Sequence, residues 1–176
     1  GTATWSRWRP RRSSTEMPEL HIEPVGRGPR LEPLKVLFAE YTAMPHNIGR
    51  SGDTEAELAE LPAPYAEPAG AILMATLDGE PVGCVVLAAL DPPEFCEMKR
   101  LYVRAEARGH GIGRALVDDV MALARSLGYS VMRLDTAPEL TVARTMYAAM
   151  GFRSIPPYHH RYADPICFEK ELGEGE

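Results

Sequence analysis

The sequence predicts an α/β protein: one domain with a mixed central sheet flanked by helices. Three observations carry that prediction. Short apolar runs with strand character alternate with segments that are apolar every three or four residues. Two of the runs meet across Asp78-Gly79, a dipeptide that predicts a tight antiparallel hairpin. A third run, 95–103, leads through a long helical pattern into a further strand at 129–136, which gives a parallel pair with a right-handed crossover. At 176 residues the chain suits one well-buried core and is short for two ordinary domains.

Each element has a local reason. "LHIEPV" (20–25) alternates as a strand does. Pro29 suits the first position of a helix whose Leu31, Leu34, Leu37, Phe38 and Tyr41 share one face. "AMPHNIGRSGD" (43–53) breaks it, and Asp53 or Thr54 caps a short second helix through Leu58 and Leu61. The hairpin strands are 71–77 and 81–90, and Pro92-Pro93 stops the second. After the strand 95–103, Ile112, Leu116, Val120, Leu123 and Leu127 step along one face of a helix that Gly128 closes. Residues 129–136 form a strand, 139–151 a helix ended by Gly151, and "FRSIPPY" and "ICFEKEL" two last strands around a loop of Pro, Tyr, His and Arg.

Bulk properties exclude several function classes. No apolar run approaches the roughly 18 residues of a membrane span. The net charge of −6 argues against a surface that coats nucleic acid. Residues 1–18 hold four Arg and one Glu, against 15 basic and 24 acidic residues in the remainder. That segment lacks the apolar stretch of a secretory signal. It reads as a basic leader outside the fold or an expression remnant, with Met17 an alternative start. The domain then spans 19–173, and 174–176 is a tail. Cys84, Cys96 and Cys167 are odd in number, far apart and in apolar surroundings, which predicts reduced, buried thiols in a cytoplasmic protein. No C-x-x-C pair exists, so His159-His160 reads as a polar loop and no metal site is expected.

"RGHGIG" (108–113) sets glycines at alternate positions where a helix begins. Each raises the entropy cost of ordering the backbone, so something there needs bare main chain. A Walker A loop is excluded, because Arg114-Ala115 follow Gly113 where Lys-Ser/Thr is required. The dinucleotide pattern fails by one residue, its third glycine falling at Arg114, although Asp135 stands near the place of that motif's acidic residue. Read as R-x-x-G-x-G, however, Arg108, Gly111 and Gly113 resemble the signature of the GCN5-related N-acetyltransferase (GNAT) family. The strand ending "LYV" before the loop, the long helix after it, and "MYAAMGF" at the end of the next helix agree with that resemblance. It covers roughly residues 20–172.

The resemblance implies an acetyl-CoA-dependent N-acetyltransferase with the GNAT fold. The glycines then let free N–H groups at the helix start converge on the pyrophosphate of coenzyme A, where the helix dipole favours an anion. Gly109, His110, Gly111, Ile112 and Gly113 form that loop, with Arg108, Arg114 and Arg104 adding charge. The pantetheine arm pairs with main chain around Leu101, Tyr102 and Val103. The family's usual Asn seven residues before the motif tyrosine is here Leu140, so either Thr141 or main chain takes its place.

Acyl transfer needs an amine freed of its proton, a held oxyanion and a protonated leaving thiolate. Glu97 stands where family members often carry a base, here acting through water; the alternative is a carboxylate paired with Lys99. Alternation puts Glu97, Lys99 and Leu101 on one face unless a bulge intervenes. Tyr147 is the implied proton donor to the thiolate; the alternative is a core tyrosine. Main-chain N–H groups within 100–103 are the implied oxyanion donors. Asp135-Thr136 either faces the cleft or makes a plain strand-end turn.

The acceptor pocket is implied to lie between about 42–66 (His46, Asn47, Arg50, Tyr65) and 156–165 (Tyr158, His159, His160, Arg161, Tyr162). Arg50 or Arg161 is placed to clamp a carboxylate. The expected acceptor is the primary amine of a small molecule, with no nucleic-acid or membrane partner. The alternatives are a protein or peptide amine, or a non-catalytic acyl-CoA-binding module. Homodimers are common in the family, and the terminal strands offer a route to one.

Overall fold

The computed structural model describes residues 18–48 and 54–173. Its elements follow the chain as β1 (Leu20–Pro24), α1 (Leu31–Thr42), α2 (Thr54–Glu60), β2 (Ala71–Leu77), β3 (Glu80–Ala89), β4 (Phe95–Val103), α3 (Ile112–Ser126), β5 (Val131–Thr136), α4 (Thr141–Ala149), β6 (Arg153–Ile155) and β7 (Ile166–Glu171). Short 3₁₀ turns at 45–47, 63–65 and 105–107 punctuate the connections. The first helix starts at Leu31, two residues later than Pro29 suggested, with Arg30 at the cap. Of "FRSIPPY", only 153–155 pairs as a strand, since Pro156 and Pro157 cannot donate to a ladder.

The seven strands form one sheet in the order β1-β2-β3-β4-β5-β7-β6. Asp78 and Gly79 both take positive φ in the β2–β3 turn, as a two-residue hairpin requires. β4 and β5 run parallel, and the other pairs are antiparallel. β7 inserts between β5 and β6, so the last two strands appear in reverse of chain order.

Both faces of the sheet are buried, which explains the almost continuous apolar runs of β2 and β3. On one face α3 and α4 cover Leu73, Val85, Met98, Leu134 and Phe168 with Leu116, Val117, Val120 and Tyr147. On the other α1 sets Leu34, Leu37 and Phe38 over Ile72, Met74, Cys84 and Val86.

Two irregularities at the middle of the sheet make room for a site. Pairing between β4 and β5 covers only Phe95↔Val131, Cys96↔Met132 and Glu97↔Arg133. Beyond it the β5-facing hydrogen-bonding edge of β4 is open. β4 also carries a bulge: Val86 pairs with Lys99 but Cys84 with Tyr102, and Arg100 takes φ +52°. The extra residue resets the alternation. Leu101 and Val103 pack with the α3 core, whereas Tyr102 packs with the α1 core and Lys99 lies over the Tyr65 ring. Strict alternation, which put Leu101 on the face of Glu97 and Lys99, therefore fails at Arg100.

Candidate active site

The gap between β4 and β5 opens into a cleft of about 1040 Å³. One end lies against the start of α3, where Arg108, Gly109, Gly111, Ile112, Gly113 and Arg114 line it. Gly109 and Gly111 take φ +82° and +76°, values that cost an L-residue about 1–2 kcal/mol. Two left-handed residues so close together turn successive N–H groups toward one side and make an anion-binding concavity. Gly113 has a different reason: its φ is ordinary, and a Cβ there would meet only Val103 Cγ2, at 3.8 Å. What a side chain at 113 would take up is cleft space.

Electrostatics agree with an anion at this end. The first turn of α3 contains no acidic residue and no side chain caps it, so its N–H groups and dipole are uncompensated. Arg108 and Arg114 are exposed at the cleft rim, with Arg108 Nε donating to the Val103 carbonyl at 2.9 Å. Two of the residues named for this end stand off the cleft wall. Arg104 is buried and committed to Glu40 and to the Pro81 carbonyl, away from the cleft. His110 is exposed and does not line it.

The middle of the cleft has β4 on one side, with Leu101, Tyr102 and Val103, and α4 on the other, with Leu140, Thr141, Ala143, Met146 and Tyr147. The open edge of β4 gives an extended, amide-bearing arm a partner strand to pair with. Thr141 is the exposed first residue of α4 and stands on the cleft beside Leu140. Tyr147 is 5% exposed and packs edge-on against Phe152 and at a tilt against Phe168, while still lining the cleft. Burial first, and then the neighbouring Tyr41 and Asp135, hold its hydroxyl pKa above the usual tyrosine value. At neutral pH the hydroxyl is protonated.

Tyr41, Met44, His46 and Asn47, Arg161 and Tyr162, and Asp135 and Thr136 from the end of β5 also line the cleft. The loop between β6 and β7 organises this part of the wall. Arg161 Nη1 and Nη2 donate to Glu97 Oε1 and Oε2 at 3.2 and 2.6 Å, and Nη2 also reaches Asp135 Oδ2 at 3.3 Å. Tyr158 donates its hydroxyl to Glu97 Oε2 at 2.5 Å. His159 Nε2 lies 2.6 Å from Asp135 Oδ2, its ring edge-on between Tyr158 and Tyr162.

Glu97 is thus 2% exposed, both oxygens are bonded, and it stands behind Arg161 rather than on the cleft wall. Lys99 Nζ, 3.9 Å from Glu97 Oε1, faces the cleft, and burial holds its pKa below that of a free lysine. One ligand atom from each of Glu97, Asp135 and His159 falls within 4.8 Å of the others, the spacing of a metal site. Arg161, bonded to both carboxylates, already supplies positive charge there.

Of the residues anticipated at the acceptor end, His46, Asn47, Arg161 and Tyr162 line the cleft. Tyr158 and His159 support it from behind, and His160 is exposed. Tyr65 lies outside, donating to Glu57 Oε1 at 2.6 Å, and Arg50 falls outside the described residues. Asp135-Thr136 faces the cleft, which decides that alternative. Sequence reasoning missed Tyr41, Lys99 and Arg100. Arg100 binds Glu57 of α2 through two nitrogens and lies over the rings of Phe38 and Tyr41, fastening α2 to the bulge. The Lys99-Arg100 pair inside an apolar strand was the available signal, since two adjacent cations there need partners.

The Acetyltransferase (GNAT) family profile matches residues 34–152. An uncharacterised N-acetyltransferase of Schizosaccharomyces pombe is 37% identical over 131 residues, 74% of this chain and 80% of that protein. The N-acetylaspartate synthetase of Danio rerio is 31% identical over 100 residues, 56% of this chain but only 36% of that protein. Among solved structures, the PaiA N-acetyltransferase of Thermoplasma acidophilum in complex with coenzyme A superposes with a TM-score of 0.66 at 17% identity, covering 87% of this chain and 99% of that one.

Proposed function

The chain belongs to the acetyltransferase (GNAT) family and is an N-acetyltransferase that uses acetyl-CoA; from that premise we propose that its acceptor is the primary amine of a small molecule, which attacks the thioester directly. One observation carries the proposal. Besides the glycine loop, β4 and α4, the cleft is lined by Tyr41, Met44, His46 and Asn47 and by Arg161 and Tyr162, which supply room and polar groups for a compact acceptor. The similarity to an N-acetylaspartate synthetase, named for a small product, is in keeping with it.

In this reading the pyrophosphate rests on the N–H groups of 111–114, and the pantetheine arm pairs with the open edge of β4. That brings the thioester between the bulge and Tyr147. Main-chain N–H groups within 100–103 hold the carbonyl oxygen as it gains charge. Tyr147 donates a proton to the departing sulfur, a role for which its raised pKa keeps it loaded. Glu97 acts from behind, as the counter-charge that holds Arg161 at the cleft. The three cysteines are buried, so no thiol is offered as an acyl carrier.

The test is acetyl-CoA-dependent thiol release with amino acids, polyamines, aminoglycosides and a lysine peptide, the products identified by mass. Turnover on a small-amine class, lowered at least tenfold by Tyr147→Phe with the acetyl-CoA KM kept, is the expected result. Turnover confined to the peptide overturns the small-molecule acceptor. Turnover indifferent to the mutation overturns the role of Tyr147.

A further inference from the structure

We infer that Asp135, oriented by His159, is the residue that receives the acceptor's ammonium and takes its first proton. This rests on the direct-attack reading above.

Two carboxylates approach the acceptor's part of the cleft, and they differ in what is left to bind. Glu97 has both oxygens bonded, by Arg161 on each and by Tyr158 on one, and is out of reach of a ligand. Asp135 is on the cleft wall. Its two hydrogen bonds, from His159 at 2.6 Å and Arg161 at 3.3 Å, both fall on Oδ2, so among the described residues Oδ1 carries none. Arg161 serves Glu97 at 2.6 Å and Asp135 only at 3.3 Å, which leaves Asp135 the less neutralised of the two.

The imidazole fixes this geometry. The main-chain N–H of Arg161 donates to His159 Nδ1 at 3.3 Å, so the ring proton sits on Nε2 and is given to Asp135 Oδ2. His159 thereby holds one carboxylate oxygen and leaves the other without a hydrogen bond among the described residues. The groups facing Asp135 are Tyr41 from α1, Tyr147 from α4, Cys167 from β7, and Tyr158, His159 and Arg161 from the β6–β7 loop, with Glu97 beyond Arg161. Tyr41, Asp135 and Tyr147 all line the one cleft, so an ammonium on Oδ1 is held in the same space as the proposed proton donor.

The ammonium gives one proton to Oδ1, which passes it to water. The freed lone pair forms the C–N bond and the C–S bond breaks. Tyr147 protonates the sulfur and recovers the second proton that the nitrogen sheds.

Ethylamine at high concentration is the probe, because every primary amine presents the same ammonium. For the wild type, kcat/KM for ethylamine levels off well below the amine's own pKa of about 10. Asp135→Asn lowers it at least 100-fold at pH 7.5, and its rate then climbs about tenfold per pH unit toward pH 9.5. Acetyl-CoA affinity stays within twofold. His159→Gln loses about tenfold. Where Asn fails to fold, Asp135→Glu replaces it, with a raised ethylamine KM and the wild-type pH profile. An Asp135→Asn enzyme with the wild-type rate and profile overturns the assignment. Parallel double-reciprocal lines for ethylamine, with an acetyl-labelled protein isolable before it is added, overturn the direct-attack reading beneath it.

Discussion

Gly113→Ala separates what the glycine loop does for stability from what it does for binding. Gly113 is the second residue of α3, with ordinary φ, and the new methyl would touch only Val103 Cγ2 at 3.8 Å. Nothing in the free protein opposes the substitution. Alanine instead restricts the unfolded chain and suits a helix, a gain of about 0.4–1 kcal/mol. At about 2–4 °C per kcal/mol for a domain this size, Tm should rise by about 1–4 °C. Binding should move the other way. Gly113 lines the cleft at the start of α3, the place proposed for the pyrophosphate, and one lost charge-assisted hydrogen bond there is about 1.5–3 kcal/mol. That is about a 10- to 150-fold weaker Kd for acetyl-CoA. Thermal denaturation and calorimetric titration with acetyl-CoA measure the two effects. S-acetylpantetheine, which has no pyrophosphate, is the control donor, and its KM should not change. A variant that binds acetyl-CoA within twofold of wild type, or that loses the control donor equally, would refute the reasoning.

Other expectations concern different parts of the fold. Gly111→Ala, at φ +76°, should lower Tm as well as affinity, by about 1–2 kcal/mol of conformational strain. Arg100→Met leaves Glu57 half-buried without its guanidinium. Urea unfolding should show a loss of about 3 kcal/mol, and the acceptor KM should rise while that of acetyl-CoA stays. Glu169 is held below the usual carboxylate range, first by its hydrogen bond from Arg133 and next by Arg153. Its contribution is therefore present above the ordinary carboxylate pKa of 4.5 and is lost as pH falls through the lower folded value. Glu169→Gln should lower stability at pH 7 and flatten its acid dependence, as read by denaturation at pH 7 and pH 3.5. The three cysteines are buried, and burial raises the Cys84 and Cys96 thiols to about 12. Ellman's reagent should titrate none rapidly in the native protein and three in denaturant.

Much of the fold was legible because its signals are local. The Asp78-Gly79 turn, the four-residue steps of Ile112, Leu116 and Val120, and the glycine loop each act within a few residues, and each predicted its element. The bulge at Arg100 was not legible. An extra residue leaves no mark in the strand's sequence, yet it moves Leu101 to the other face, beside an edge left open because β5 pairs with only the first residues of β4. The acceptor end was half legible. Its residue types could be named, but Glu97, Asp135 and Arg161 meet only because β7 folds back beside β5, a pairing that strand patterns do not specify. For the same reason a carboxylate assigned from its place on β4 proved to be bonded on both oxygens, while Asp135, at the end of β5, faces the cleft.

Direct transfer inside one cleft requires both substrates to be bound together. Initial velocities measured over a grid of acetyl-CoA and small-amine concentrations test it most directly. Direct transfer gives lines that intersect in double-reciprocal form, and no acetyl label on the protein when the amine is left out. Parallel lines, with a labelled protein isolable before the amine is added, would contradict it.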